Sequence, residues 1–147
     1  MNQKVDIILR GRKIKKILNL VYKHIREKYD LKQIEIEILF YLARTPDANS
    51  SDIYRNLYLN KGHVSSAMDS LCTKGYLVSE QDTSNRRYVC YKITNLGNAV
   101  VDECFEIRKA IKEKLYIGFS EEEKEYMKVI VAKLYDNIDA LENEYFD

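Results

Sequence analysis

The side chains best placed to do chemistry in this 147-residue chain share one face of a short helical stretch: Lys61, His63, Ser65, Ser66, Asp69 and Ser70. Opposite them lie Val64, Ala67, Met68, Leu71 and Cys72, whose spacing of three and four marks a buried face. The polar face holds short donors and acceptors, one firm positive charge and no bulky aliphatic group. Its chemistry is hydrogen bonding at close approach, as a helix in a DNA major groove requires. A solvated surface would tolerate the same residues, although serine has no helix-propensity advantage there. Further along, Arg86 and Arg87 close the polar turn Asp82-Thr83-Ser84-Asn85-Arg86-Arg87. Adjacent guanidinium groups on a turn suit phosphates or a narrow minor groove.

Catalysis lacks a constellation. The two histidines, His24 and His63, are far apart in sequence, and no glycine-rich phosphate loop, nucleophile elbow or His-x-x-x-His pair occurs. Glu121, Glu122, Glu123 and Glu125 have no nearby His or Cys, and a capped, solvated helix start accounts for them. The sequence therefore reads as a non-enzyme with no cofactor and no metal. Cys72, Cys90 and Cys104 form no Cys-x-x-Cys pair, and all three are expected to be small buried hydrophobes.

The elements that must position the polar face are legible on both sides of it. Asn49-Ser50-Ser51-Asp52 offers capping side chains to a short helix bearing Ile53, Tyr54 and Leu57. Asn60 caps the next helix, and Gly75 ends it where a left-handed residue is needed. Strands are expected at Tyr76–Gln81 and Tyr88–Ile93. Upstream, residues 5 to about 28 read as one long amphipathic helix, with Ile7, Ile14, Ile17, Leu18, Val21 and Ile25 on a stripe. Asp30-Leu31-Lys32-Gln33 resembles a capping box for a helix carrying Ile34, Ile38, Leu39 and Leu42, ended by Thr45-Pro46-Asp47. Downstream, Thr94 caps a helix from Asn95 to about Leu115. Ser120 and Glu123 form a second capping box, opening a last helix with Met127, Ile130, Val131, Leu134, Ile138 and Leu141 on one stripe. The terminal helices carry more apolar stripe than the centre can cover, which predicts a homodimer.

Bulk composition agrees with a helix-rich protein: 46% hydrophobic and 32% charged. No apolar run approaches the ~20 residues of a membrane span, and no signal-peptide core follows Met1, so a cytoplasmic protein with no membrane partner is expected. The net charge of +1 says nothing about DNA. Its distribution is uneven, with ten Lys/Arg against three Asp/Glu in residues 1–32 and three against nine in residues 118–147.

Three motifs together resemble the MarR-type winged helix-turn-helix regulators of transcription. Val64 to Leu77, with Leu71-Cys72-Thr73-Lys74-Gly75-Tyr76-Leu77 at its exit, is similar to the family's recognition helix. Asp82 to Arg87 is similar to its Asp-x-x-Asp-Arg-Arg wing signature, with Asn85 in place of the second Asp. Ile93-Thr94-Asn95-Leu96-Gly97 is similar to its Leu-Thr-x-x-Gly helix start. The resemblance implies a mainly α fold with a small β-wing in a single domain of residues 1–147. A winged helix-turn-helix core at about 31–94 would be flanked by dimerisation helices at about 1–28 and 95–147.

The function it implies is sequence-specific binding of a double-stranded DNA operator by a homodimer, as a repressor released by a small ligand. The residues expected at DNA are Ser50, Ser51, Asn60, Lys61, His63, Ser65, Ser66, Asp69, Ser70, Arg86 and Arg87, with backbone amides near Ser51 and Lys61 holding phosphates. Relatives bind small aromatic acids between the dimer helices and the DNA-binding unit. Tyr22, Arg26, Tyr29 and Tyr41 are the matching candidate pocket for an aromatic or anionic effector, with Lys23 and Arg44 as further partners for a carboxylate. Tyrosines at a core edge, with the hydroxyl in water, explain the same residues without a ligand. The alternative function is a dimeric winged-helix module that binds a protein partner and does not read DNA.

Overall fold

The computed structural model describes residues 7–81, 84 and 89–146, with side chains from residue 10 onward. Among these described residues, seven helices and two strands follow in order: α1 Ile7–Val21, α2 Lys23–Tyr29, α3 Gln33–Arg44, α4 Ser50–Asn56, α5 Lys61–Thr73, β1 Leu77–Gln81, β2 Val89–Ile93, α6 Asn95–Leu115 and α7 Glu121–Phe146. β1 and β2 pair antiparallel, with Leu77 opposite Ile93 and Gln81 opposite Val89. The wing is therefore present, while its signature residues Arg86 and Arg87 lie outside the described residues. No helix among the described residues is long and apolar enough to cross a membrane.

The chain divides into two compact units, Met1–Arg108 and Lys109–Asp147. In the first, α3 supplies the centre of the core with Ile36, Ile38, Leu39, Phe40 and Leu42. Apolar residues on several sides of this helix match its contact with several neighbours. Ile53 of α4, Val64, Met68 and Leu71 of α5, Leu77 of β1, and Val100 and Cys104 of α6 close around it. The helix expected over residues 5–28 is interrupted at Tyr22, which leaves α1 and α2. The break is slight, because Tyr22 keeps αR geometry and its amide and carbonyl still bond to Leu18 and Arg26.

The capping box expected at Asp30 is displaced. Asp30 takes φ +51° and ends α2, while Lys32 begins α3 and its amide donates to Glu35 Oε2 at 2.6 Å. Asp30 is a short polar residue that tolerates the left-handed conformation, so it serves the turn better than the cap. Glu35 is the buried charged residue of this core. Lys74, at the end of α5, lies 3.7 Å from its carboxylate and donates to the Asp30 carbonyl. Glu35→Ala removes the acceptor of the Lys32 amide and the buried partner of Lys74. It is expected to cost about 2 kcal/mol, read as a lower urea midpoint at an unchanged m-value.

Thr94 caps α6 as its sequence suggests: its hydroxyl accepts from the Gly97 amide at 3.2 Å and donates to the Gly75 carbonyl at 2.7 Å. Glu103 of α6 accepts from Lys28 Nζ and Tyr29 OH, tying α6 to α2. These donors, Lys28 first, hold the Glu103 carboxyl below its usual range. In the second unit the C-terminal turns of α6 lead through Tyr116 and Phe119, packed edge to face at 5.4 Å, and Gly118 at φ +85°. There Ser120 and Glu123 exchange the two bonds of a capping box, at 3.1 and 2.7 Å. None of the described residues of α7 is buried.

Candidate nucleic-acid interface

α5 is amphipathic by construction. Val64, Ala67, Met68 and Leu71 are buried, and Lys61, His63, Ser65, Ser66 and Asp69 are exposed together on the other face. Ser70 is half-buried at its edge. Asn60 precedes the helix in extended geometry, and its Oδ1 accepts from the amides of Gly62 at 2.8 Å and His63 at 3.3 Å. That bond fixes the entry of the helix and occupies two of the amides that could otherwise hold a phosphate. Asn60 keeps its side-chain NH2 as the donor for an outside partner. At α4, Asn49 and Asp52 exchange bonds at 2.9 and 3.0 Å, so the Asp52 amide is engaged as well. Ser50 and Ser51 are half-buried at this start.

Sequence reasoning placed Tyr54 on the apolar side of α4 and passed over Arg55. The structure puts both beside the expected site. The Ser51 hydroxyl lies 3.2 Å from Tyr54 OH, and Arg55 is exposed. The signal in the sequence was the placing of two cations, Arg55 and Lys61, on either side of the helix-turn-helix turn.

A separate cleft of about 830 Å³ opens on α1 and α3. Tyr22 and Tyr41 line it, whereas Arg26 and Tyr29 do not. Arg26 instead donates to the Asn19 carbonyl at 2.8 Å and to Gln33 Oε1 at 2.8 Å, bracing two cleft residues from behind. Tyr29 turns toward Glu103 and Tyr76. The residues missed are Phe40 and Arg108. The guanidinium of Arg108 stacks over the Phe40 ring at 3.7 Å and donates to Tyr22 OH at 2.7 Å, and that of Arg44 lies over the same ring at 4.6 Å. Arg44 follows Phe40 by one helical turn, which was the available signal. With Arg12, Lys15 and Lys16, the lining sets five cations against Glu37. Burial raises the Tyr22 phenol above its usual pKa, partly offset by Arg108.

The cysteines divide, against the expectation of three buried thiols. Cys104 is buried, while Cys72 and Cys90 are half-buried, Cys90 because it sits in a two-stranded wing with one open side. Burial pushes the Cys104 thiol up to about 11. Native protein at pH 7.5 is expected to leave Cys104 unmodified by maleimide over the time in which an exposed thiol reacts fully. Peptide mapping would check this, and prompt labelling there would make it a candidate redox sensor.

Residues 31–97 match the family model of the winged helix DNA-binding domain. The chain is 30% identical over 110 residues to the HTH-type transcriptional regulator PecS of Dickeya dadantii (strain 3937), covering 73% of this chain and 66% of that protein. It is 28% identical over 99 residues to the uncharacterized HTH-type transcriptional regulator YkoM of Bacillus subtilis (strain 168), covering 67% and 64%. The chain thus spans just under two thirds of the length of both relatives. Among solved structures, that of MarR superposes at a TM-score of 0.81 with 16% identity and 99% coverage of both chains. Streptococcus pneumoniae FabT in complex with DNA superposes at 0.78 with 24% identity, over 96% of this chain and 99% of that one.

Proposed function

We propose, from the match of residues 31–97 to the winged helix DNA-binding domain model and the likeness of the fold to that of MarR, that the protein is a transcriptional regulator that reads a double-stranded operator as a homodimer. The observation that carries this is α5, a helix anchored by four buried apolar residues that presents Lys61, His63, Ser65, Ser66 and Asp69 on its open face. Two such helices in a two-fold dimer address a pseudo-palindromic site with half-sites one turn apart, roughly 10 bp. Arg86 and Arg87 of the wing supply phosphate or minor-groove contacts beside them. The five-cation cleft with its stacked Phe40 ring suits an anionic aromatic effector. Such a ligand releases DNA by preferring one spacing of the reading helices over the other. Repression is the regulatory outcome we assign.

The test is fluorescence anisotropy with the DNA just upstream of the protein's own gene, against scrambled competitor, at several salt concentrations. Competition-resistant binding with a steep salt slope is expected. Equal loss to scrambled DNA, or no binding at low salt, would favour a dimeric module for a protein partner.

A further inference from the structure

Lys74, Gly75 and Tyr76 leave α5 as one rigid piece. Their amides donate to the carbonyls of Ser70, Cys72 and Leu71 at 2.9, 3.1 and 2.9 Å, with Gly75 at φ +82°. A displacement of Lys74 or Tyr76 is therefore a displacement of α5 itself.

Both side chains reach across to the end of α2. Tyr76 OH donates to the Tyr29 carbonyl at 2.7 Å, and Lys74 Nζ donates to the Asp30 carbonyl. The last carbonyls of a helix find no partner within it. The exit of α5 thus caps α2 from 47 and 44 residues away, and a cation there suits the helix dipole. Lys74 Nζ also lies 3.7 Å from the buried Glu35 carboxylate. The Tyr76 ring is buried and meets that of Tyr29 edge to face at 6.4 Å. α2 is a fixed partner, because Glu103 of α6 accepts from Lys28 Nζ and Tyr29 OH.

The entry of α5 is held separately, by Asn60 Oδ1. Its thirteen residues span about 20 Å. Held at the entry alone, such a helix is free to tilt about that end while its apolar face stays docked.

Resting on the DNA-binding reading above, we propose that Lys74 and Tyr76 are positioning residues: clamped on the last carbonyls of α2, they set the angle at which α5 meets the base edges, and so its discrimination among sequences. Hydrogen bonds to bases weaken steeply as the angle departs from linear. Attraction to phosphates is sequence-independent and far less sensitive to tilt. Loosening the clamp therefore lowers affinity for the operator more than affinity for other DNA.

Anisotropy of the full chain on the upstream duplex and on a scrambled duplex tests this, at a temperature where thermal unfolding shows the variants folded. The quantity read is the ratio of the two affinities. A loss of folded protein cancels in that ratio, so a merely structural role would not move it. Y76F and K74M are each expected to lower the ratio by about tenfold, the worth of one base contact. K74R keeps the charge and a donor and should hold the wild-type ratio. Y76F deletes one hydroxyl and keeps the ring against Tyr29, so the test stands on it if K74M fails to fold. A wild-type ratio in Y76F and K74M would overturn the clamp and leave the function standing. So would an equal loss on both duplexes, which would make Lys74 a phosphate contact instead. A wild-type protein that does not prefer the upstream duplex would overturn the function itself, and the clamp with it.

Discussion

The double substitution L134E/I138E is expected to yield a folded monomer that no longer discriminates its operator. Ile130, Leu134, Ile138 and Leu141 follow one another by three or four residues along α7, and each is between 40% and 55% exposed. Burying an aliphatic side chain contributes about 1.5–3 kcal/mol. A stripe of four on each of two chains would therefore supply a large share of the proposed dimer interface. Two glutamates per chain would place four carboxylates in that interface without partners, which reverses the sign of the interaction. Light scattering should give the monomer mass where the unmodified protein is a dimer, with helical circular dichroism retained. Operator affinity should fall by about a thousandfold, to the sequence-independent level, because each half-site is then read alone. A double variant that stays dimeric would remove α7 from the interface.

The second large effect falls at Gly97. A Cβ there would lie 2.5 Å from the Tyr76 carbonyl oxygen and 2.6 Å from Ile93 Cγ2. The first obstacle is backbone, and that carbonyl already accepts from the Thr94 amide at 3.1 Å. Relief therefore requires α6 to move away from the base of the wing. G97V is expected to cost about 3 kcal/mol or more and G97A somewhat less, both read from denaturant midpoints. Affinity for DNA should fall with them, since the same junction holds the exit of α5 and the start of β1. Unchanged midpoints would mean that the close approach of α6 to the wing base is not maintained in solution.

Much of this architecture was legible because local chemistry and tertiary demand coincide. Asn60, Gly75, Thr94 and Ser120 each do in the structure what their type and spacing suggested. The displaced capping box at Lys32 shows where that stops: the sequence marked Asp30 and Gln33, whereas buried Glu35, 3.7 Å from Lys74, takes the Lys32 amide instead. The break at Tyr22 was invisible for a related reason. The apolar period continues through it, and only the bond from Arg108, 86 residues away, shows why the phenol sits there. The open polar side of α5 follows from periodicity alone, because its opposite face must be buried. The cleft does not follow from any one stretch. Tyr22 and Tyr41 line it, but Arg26 and Tyr29, their neighbours in the sequence, point elsewhere, and Arg108 arrives from α6. A candidate pocket chosen by proximity along the chain misses partners brought by topology.

The cation-lined cleft also has a bearing on the unliganded protein. Arg12, Lys15, Lys16, Arg44 and Arg108 repel one another across a space that Glu37 alone offsets, so the empty state carries a standing electrostatic load. Added salt screens that load, while the same salt would loosen the proposed grip on DNA by reducing the gain from counterion release. The protein should therefore resist heat better in the very buffers in which it holds its operator less well. Multivalent anions such as inorganic phosphate should show this more strongly than chloride at equal ionic strength, as a rise in thermal midpoint without DNA present. On the proposed function, solution conditions would act as two opposed dials, one on durability and one on occupancy of DNA.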